Sequence, residues 1–108
     1  MTSLTPLKSD YIRVLEQCIA DCQKFVKNHK YTRGMEKCIE VCQLCIGACV
    51  ECLAACEACR SDRGKMMHIC MDACQKCLDE CEKHNNEDCQ RCAYSCKNCI
   101  EEFKYIMA

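Results

Sequence analysis

Between Cys38 and Cys59 the chain sets cysteine at Cys38, Cys42, Cys45, Cys49, Cys52, Cys56 and Cys59, in alternating steps of four and three. Residues three and four apart share one face of an α-helix, so this segment predicts a helix whose inner stripe is sulfur throughout. Such stripes are normally Leu, Ile and Val. The rest of the chain repeats the pattern. Of 16 successive cysteine-to-cysteine gaps, 13 are three or four residues, and the gaps of 16, 11 and 8 fall where the helical periodicity breaks.

Those breaks divide the chain into four segments. Thr5 and Pro6 suit the N-cap and first position of a helix running to about Asn28. Its inward stripe is Tyr11, Leu15, Cys18, Cys22, Phe25 and His29. After a loop over Asn28–Gly34, a second helix is expected from Met35 to Arg60. It has no charged residue between Val41 and Val50 and should be the most buried. Gly47 within it is expected to admit a neighbouring helix closely. The third helix, capped by Ser61 or Asp62, should run to about His84 with the stripe Met67, Cys70, Cys74, Cys77, Cys81 and His84. Asn85–Asn86 makes a turn, and Glu87 and Asp88 then favour the start of a fourth helix. That helix carries Cys89, Cys92, Cys96, Cys99, Phe103 and Ile106. Four amphipathic helices with short connections predict an all-α, antiparallel up-down-up-down four-helix bundle, one domain over residues 1–108, with a cysteine-lined core.

At 108 residues there is room for one core. A net charge of -1 gives no bulk attraction to nucleic acid or to membrane. The first ten residues lack the basic-then-apolar run of a secretory signal, and no stretch is expected to supply the roughly 18 apolar residues of a membrane span. The expectation is a cytoplasmic protein. Seventeen cysteines would ordinarily suggest a secreted disulfide framework. The odd count, the missing export signal and the helical spacing oppose it. Cβ atoms one helical turn apart lie about 5–6 Å from each other, whereas a disulfide needs about 3.5–4.5 Å.

Cysteine packs as a small hydrophobe, but it buries less apolar surface than leucine, so packing alone does not explain four thiol stripes. Soft thiolates select Cu(I), Zn(II) or iron–sulfur clusters. The CxxCxxC run of ferredoxins is absent. Zinc takes isolated four-ligand sites, whereas the six CxxC pairs here overlap seven CxxxC pairs in continuous helices. Cu(I) fits best, because about one ion per thiolate neutralises the buried charge, and burying uncompensated charge is prohibitive. The metal-ligand candidates are Cys18, Cys22, Cys38, Cys42, Cys45, Cys49, Cys52, Cys56, Cys59, Cys70, Cys74, Cys77, Cys81, Cys89, Cys92, Cys96 and Cys99. A zinc or general soft-metal reservoir is the alternative. A thiol redox enzyme is disfavoured, since no single cysteine is set apart and no nucleophile–base pair can be picked out.

The repeated CxxxC elements Cys18/Cys22, Cys38/Cys42, Cys45/Cys49, Cys52/Cys56, Cys70/Cys74, Cys77/Cys81 and Cys92/Cys96 give the chain its resemblance to the copper storage proteins. These are cysteine-rich four-helix bundles that hold many Cu(I) ions. The resemblance spans Cys18 to Cys99. It implies storage for copper buffering, detoxification and supply rather than catalysis, and assembly as a homotetramer, in cytosolic or exported members; the missing export signal then points to the cytosolic branch of the family. Apolar rows beside the stripes, Ile12/Ile19/Val26 and Ile39/Ile46/Leu53, also hint at self-association.

Antiparallel packing would gather Tyr11, Cys59, Met67 and Phe103 at one end, where Leu15, Tyr11 and Phe103 in ladder positions read as an apolar plug. His29, Met35 and His84 would gather at the other, where weaker ligands suit copper admission. Met66, Met67, His68 and Met71 form a second candidate port at the plugged end. Lys27, Lys30 and Arg33 near the first read either as a solvated basic loop or as a dock for an acidic copper donor protein.

Overall fold

The computed structural model describes residues 10–107, which form four α-helices and, among those residues, no strand. They are α1 (Asp10–His29), α2 (Glu36–Glu57), α3 (Arg63–Cys81) and α4 (Glu87–Ile106). The expected caps Thr5 and Pro6 lie outside the described residues. Each helix packs against two neighbours, in the cyclic order α1, α2, α3, α4. Facing sulfurs give the directions. Cys18 meets Cys96 while Cys22 meets Cys92, and Cys42, Cys45 and Cys49 meet Cys77, Cys74 and Cys70 in turn. The partner numbers fall as the first numbers rise, so these neighbours are antiparallel, as the up-down-up-down bundle requires.

The helix ends show where local chemistry overrode periodicity. α2 stops at Glu57 instead of Arg60. The Arg60 amide donates to the Ala55 carbonyl at 2.9 Å and the Cys59 amide to Cys56 at 3.2 Å, the paired bonds of a Schellman motif. Cys59 occupies its left-handed position with φ 52°. α3 begins after Asp62 as expected, but Asp62 makes no side-chain cap. Arg60 donates to both its carboxylate oxygens, at 3.0 and 2.6 Å. α3 ends at Cys81, three residues before His84. α4 is capped by Asn86, whose Oδ1 accepts the Cys89 amide at 2.8 Å.

Four expectations about packing and composition fail. A Cβ on Gly47 would meet nothing within 4 Å, so no helix uses that glycine for close approach. Ile106 is 41% exposed and falls off the α4 core stripe; Met107 packs against the core instead. α2 is, by length and composition alone, apolar enough to cross a membrane, contrary to the expected absence of such a stretch. In the bundle its cysteine face is buried as one wall of the core. The rows Ile19/Val26 and Ile39/Ile46/Leu53 are likewise half-buried against the core rather than free.

Candidate metal centre

Sixteen of the seventeen cysteines are buried, all as free thiols. The exception is Cys59. Expected as the last rung of the α2 ladder, it sits beyond the helix end, exposed, because the Schellman turn swings it out of the stripe.

The buried sulfurs stack in layers along the bundle axis. Cys49, Cys70 and Cys74 form one three-sulfur group, with Cys49 and Cys70 3.4 Å apart. Next comes a four-sulfur layer of Cys18, Cys45, Cys74 and Cys96, one from each helix, with contacts of 3.6–3.9 Å. A second such layer follows, of Cys22, Cys42, Cys77 and Cys92, with contacts of 3.1–3.6 Å. Cys38, Cys81 and Cys89 close the series as another three-sulfur group. The layers are not separate. Cys22, Cys45, Cys77 and Cys96 make a further group across the two four-sulfur layers, and Cys74 belongs to two groups.

Burial sets the protonation of the outer thiols. It pushes Cys38 up to about 12, helped by Cys89 and the Glu80 carboxylate nearby, and it also raises Cys56 and Cys89. Inside the column hydrogen bonds divide the thiols. The bond with Cys49 pulls Cys70 down, and that with Cys22 pulls Cys92 down, whereas contacts beginning with Cys18 push Cys49 and Cys96 up. A thiolate formed at one sulfur is therefore held by the protons of its neighbours.

At one end Leu15, Met67 and Phe103 are buried, with Tyr11 and Met66 half-buried against the core. The expected plug is present, and Met67 belongs to it. Beside it Cys56 retains 5% exposure, the only buried thiol with any. At the opposite end His29 stacks on Phe25 with ring centroids 4.7 Å apart, and its Nε2 lies 3.0 Å from Oδ2 of Asp88. Its buried Nδ1 has no hydrogen-bond partner. In the neutral imidazole, with Nε2–H donating to the carboxylate, Nδ1 has a free lone pair. His84, outside α3, pairs with Glu80 at 3.4 Å, and Met35 packs half-buried at the start of α2. The structure thus brings His29, His84 and Met35 to the end that holds Cys38, Cys81 and Cys89.

The profile of the copper storage protein family matches residues 6–108. The chain belongs to that family. Among solved structures, the Cu(I)-bound copper storage protein BsCsp3 shares its fold, with a TM-score of 0.84 and 24% identity over 91% of this chain and 95% of that one. No curated protein matches in sequence. For a copper storage protein the donor set is apt: the buried groups of potential ligands along the axis offer sulfur, and soft sulfur selects Cu(I).

Sequence reasoning missed the one buried polar pair in the described core, Asp21 and Ser95. Each stands one residue before a stripe cysteine, Cys22 or Cys96, a position that can turn inward where two helices meet closely.

Proposed function

We propose that this chain is a cytoplasmic copper store, a single domain that takes up many Cu(I) ions for buffering, detoxification and later supply, and that it is not an enzyme. The observation that carries this reading is the sharing of sulfurs. Cys22, Cys45, Cys77 and Cys96 each belong to more than one group of potential ligands. Shared thiolates suit Cu(I), which bridges soft sulfur at low coordination and, at about one ion per thiolate, leaves no net charge in a dry core. The sixteen buried thiols hold the ions, and each ion bound displaces protons. Cys59 stands outside the column and contributes little to capacity.

The zinc reading retains one supporting observation: two four-sulfur layers of tetrahedral count. Anaerobic Cu(I) titration against a chromophoric chelator, followed by native mass spectrometry, separates the two. Saturation near sixteen equivalents is expected; saturation near four would overturn the copper reading.

Copper is admitted at the Cys38/Cys81/Cys89 end, past Met35, His29 and His84. The unpartnered Nδ1 of His29 supports that direction. The 5% exposure of Cys56 supports the opposite end. Combined Met35→Ala, His29→Ala and His84→Ala should slow uptake and leave capacity intact. Unchanged uptake rates would move the port to the Cys56 side.

The bundle assembles as a homotetramer. The face between α2 and α3 favours this, with a groove of about 330 Å³ lined by Val41, Leu44, Ala48, Ile69 and Ala73. Leu44 and Ile69 stand 62% and 44% exposed at its edges. Asp72 and Lys76 line the same groove one turn apart and would pair reciprocally across a two-fold axis. Light scattering of Leu44→Lys should show smaller particles than the parent, and a parent that is itself monomeric would refute assembly. Loading by an acidic copper donor protein at Lys27, Lys30 and Arg33 completes the proposal; charge reversal there should slow transfer from donor but not from free Cu(I).

A further inference from the structure

A core built from one small side chain at a repeating interval specifies its own alignment poorly. If one helix slides a heptad past its neighbour, part of its thiol stripe again faces sulfur, and uniform stretches of this kind tend to lose a unique packing. Buried polar groups are the best-attested devices for fixing helix register.

The α1–α4 seam carries two polar contacts, the first buried and the second at the surface. In the first, the Ser95 hydroxyl donates to Oδ2 of Asp21, and Nε2 of Gln17 donates to the same oxygen at 3.1 Å. Asp21 is 8% and Ser95 2% exposed. In the second, Nδ2 of Asn28 donates to Oδ2 of Asp88 at 3.2 Å, joined by His29 at 3.0 Å. Asn28 follows Asp21 by seven residues on α1, and Asp88 precedes Ser95 by seven on antiparallel α4. The two contacts therefore lie one heptad apart on a single seam. Asp21 falls three after Cys18 and one before Cys22, and Ser95 falls three after Cys92 and one before Cys96.

We propose that Asp21 and Ser95 are positioning residues that lock α1 against α4 in the one register that sets Cys18 opposite Cys96 and Cys22 opposite Cys92. Those sulfur pairs stand 3.7 and 3.1 Å apart, and they supply the α1 side of both four-sulfur layers. A heptad slide would keep only one sulfur contact at this seam, Cys22 with Cys99 or Cys18 with Cys89, and would strip the buried Asp21 carboxylate of its hydroxyl partner, a loss that the remaining thiols cannot make good. α1 depends on the lock most, because it offers only two thiols to define its alignment.

The test uses the metal-free full chain and does not depend on copper. A pulse of iodoacetamide is read cysteine by cysteine by mass spectrometry, with circular dichroism recorded in parallel. In Ser95→Ala, labelling of Cys18, Cys22, Cys92 and Cys96 should rise about tenfold, the scale of one buried hydrogen bond lost. Cys49 and Cys70, paired between α2 and α3, should label at the parental rate, and helicity should be retained. Asp21→Asn keeps an acceptor for the Ser95 hydroxyl and should stay close to the parent. A uniform rise at all buried cysteines, no rise at all, or Asp21→Asn labelling as fast as Ser95→Ala would each overturn the proposal. Failure of the copper reading leaves this result untouched.

Discussion

Cys59 holds a backbone conformation that suits glycine. An L-residue in the left-handed region costs about 1–2 kcal/mol, and the Schellman position is one where Gly usually stands. Cys59→Gly should therefore stabilise the fold by about 0.5–1 kcal/mol, once the greater freedom of glycine in the unfolded chain is subtracted. Urea denaturation of the metal-free variant under reducing conditions measures it. Copper capacity should not change, because this sulfur is outside the column. The same residue marks a limit of the sequence. Sixteen thiols fell where periodicity put them, but spacing of three and four says nothing about the turn at which a helix stops. The stop lies in the bonds from Arg60 to Ala55 and from Cys59 to Cys56, which no side-chain pattern announces. Asp21 and Ser95 escaped for a related reason: polar side chains beside a stripe ordinarily face water.

Among the helices, α2 was the most legible and remains the most dependent on its surroundings. Its ladder of cysteines fixes its inner face, and its first and last turns carry no side-chain cap and no basic residue at the C-terminus. Gly47 weakens it further. Because a Cβ there meets nothing within 4 Å, Gly47→Ala should stabilise the metal-free protein by about 1 kcal/mol through helix propensity alone. Thermal unfolding checks it, and a loss of stability would mean that the glycine serves a contact formed only on assembly. The ends of α1 and α4 were harder to read. Ile106 continues the apolar spacing of α4 yet lies 41% exposed, since the inward stripe steps four residues from Phe103 to Met107, which packs against the core and leaves Ile106 to one side. His29 and His84 were placed at the correct end by antiparallel counting, but their carboxylate partners Asp88 and Glu80 were not foreseen.

The whole molecule is a bundle whose core is neutral only while its thiols stay protonated or metal-bound. Burial raises Cys38 from 9.0 to about 12 and lifts Cys56 and Cys89 as well. A folded-state pKa raised in this way contributes stability that is fully present below about pH 9 and is lost as pH climbs toward 12. The melting temperature of the metal-free protein should accordingly hold to about pH 8 and fall steadily by about pH 11. A flat profile would mean that these thiols are solvated. Copper should act in the opposite sense. Free Cu(I) held at about 1,000 times its dissociation constant adds about 4 kcal/mol per independent site, or a rise of roughly 15–30 °C for a domain near this size. Calorimetry of loaded and metal-free protein tests it.

The 3.1 Å approach of Cys22 to Cys92 has a cost when no metal lies between them. A peroxide that reaches these sulfurs takes two electrons and welds α1 to α4 by a covalent bridge that the helices themselves never require. Two donors are lost and the bundle is cross-linked at its middle. The metal-free protein is thus the perishable form, and bound copper would act on it as a protecting group. Such a molecule keeps its capacity only where oxidants are scavenged faster than its sites are refilled.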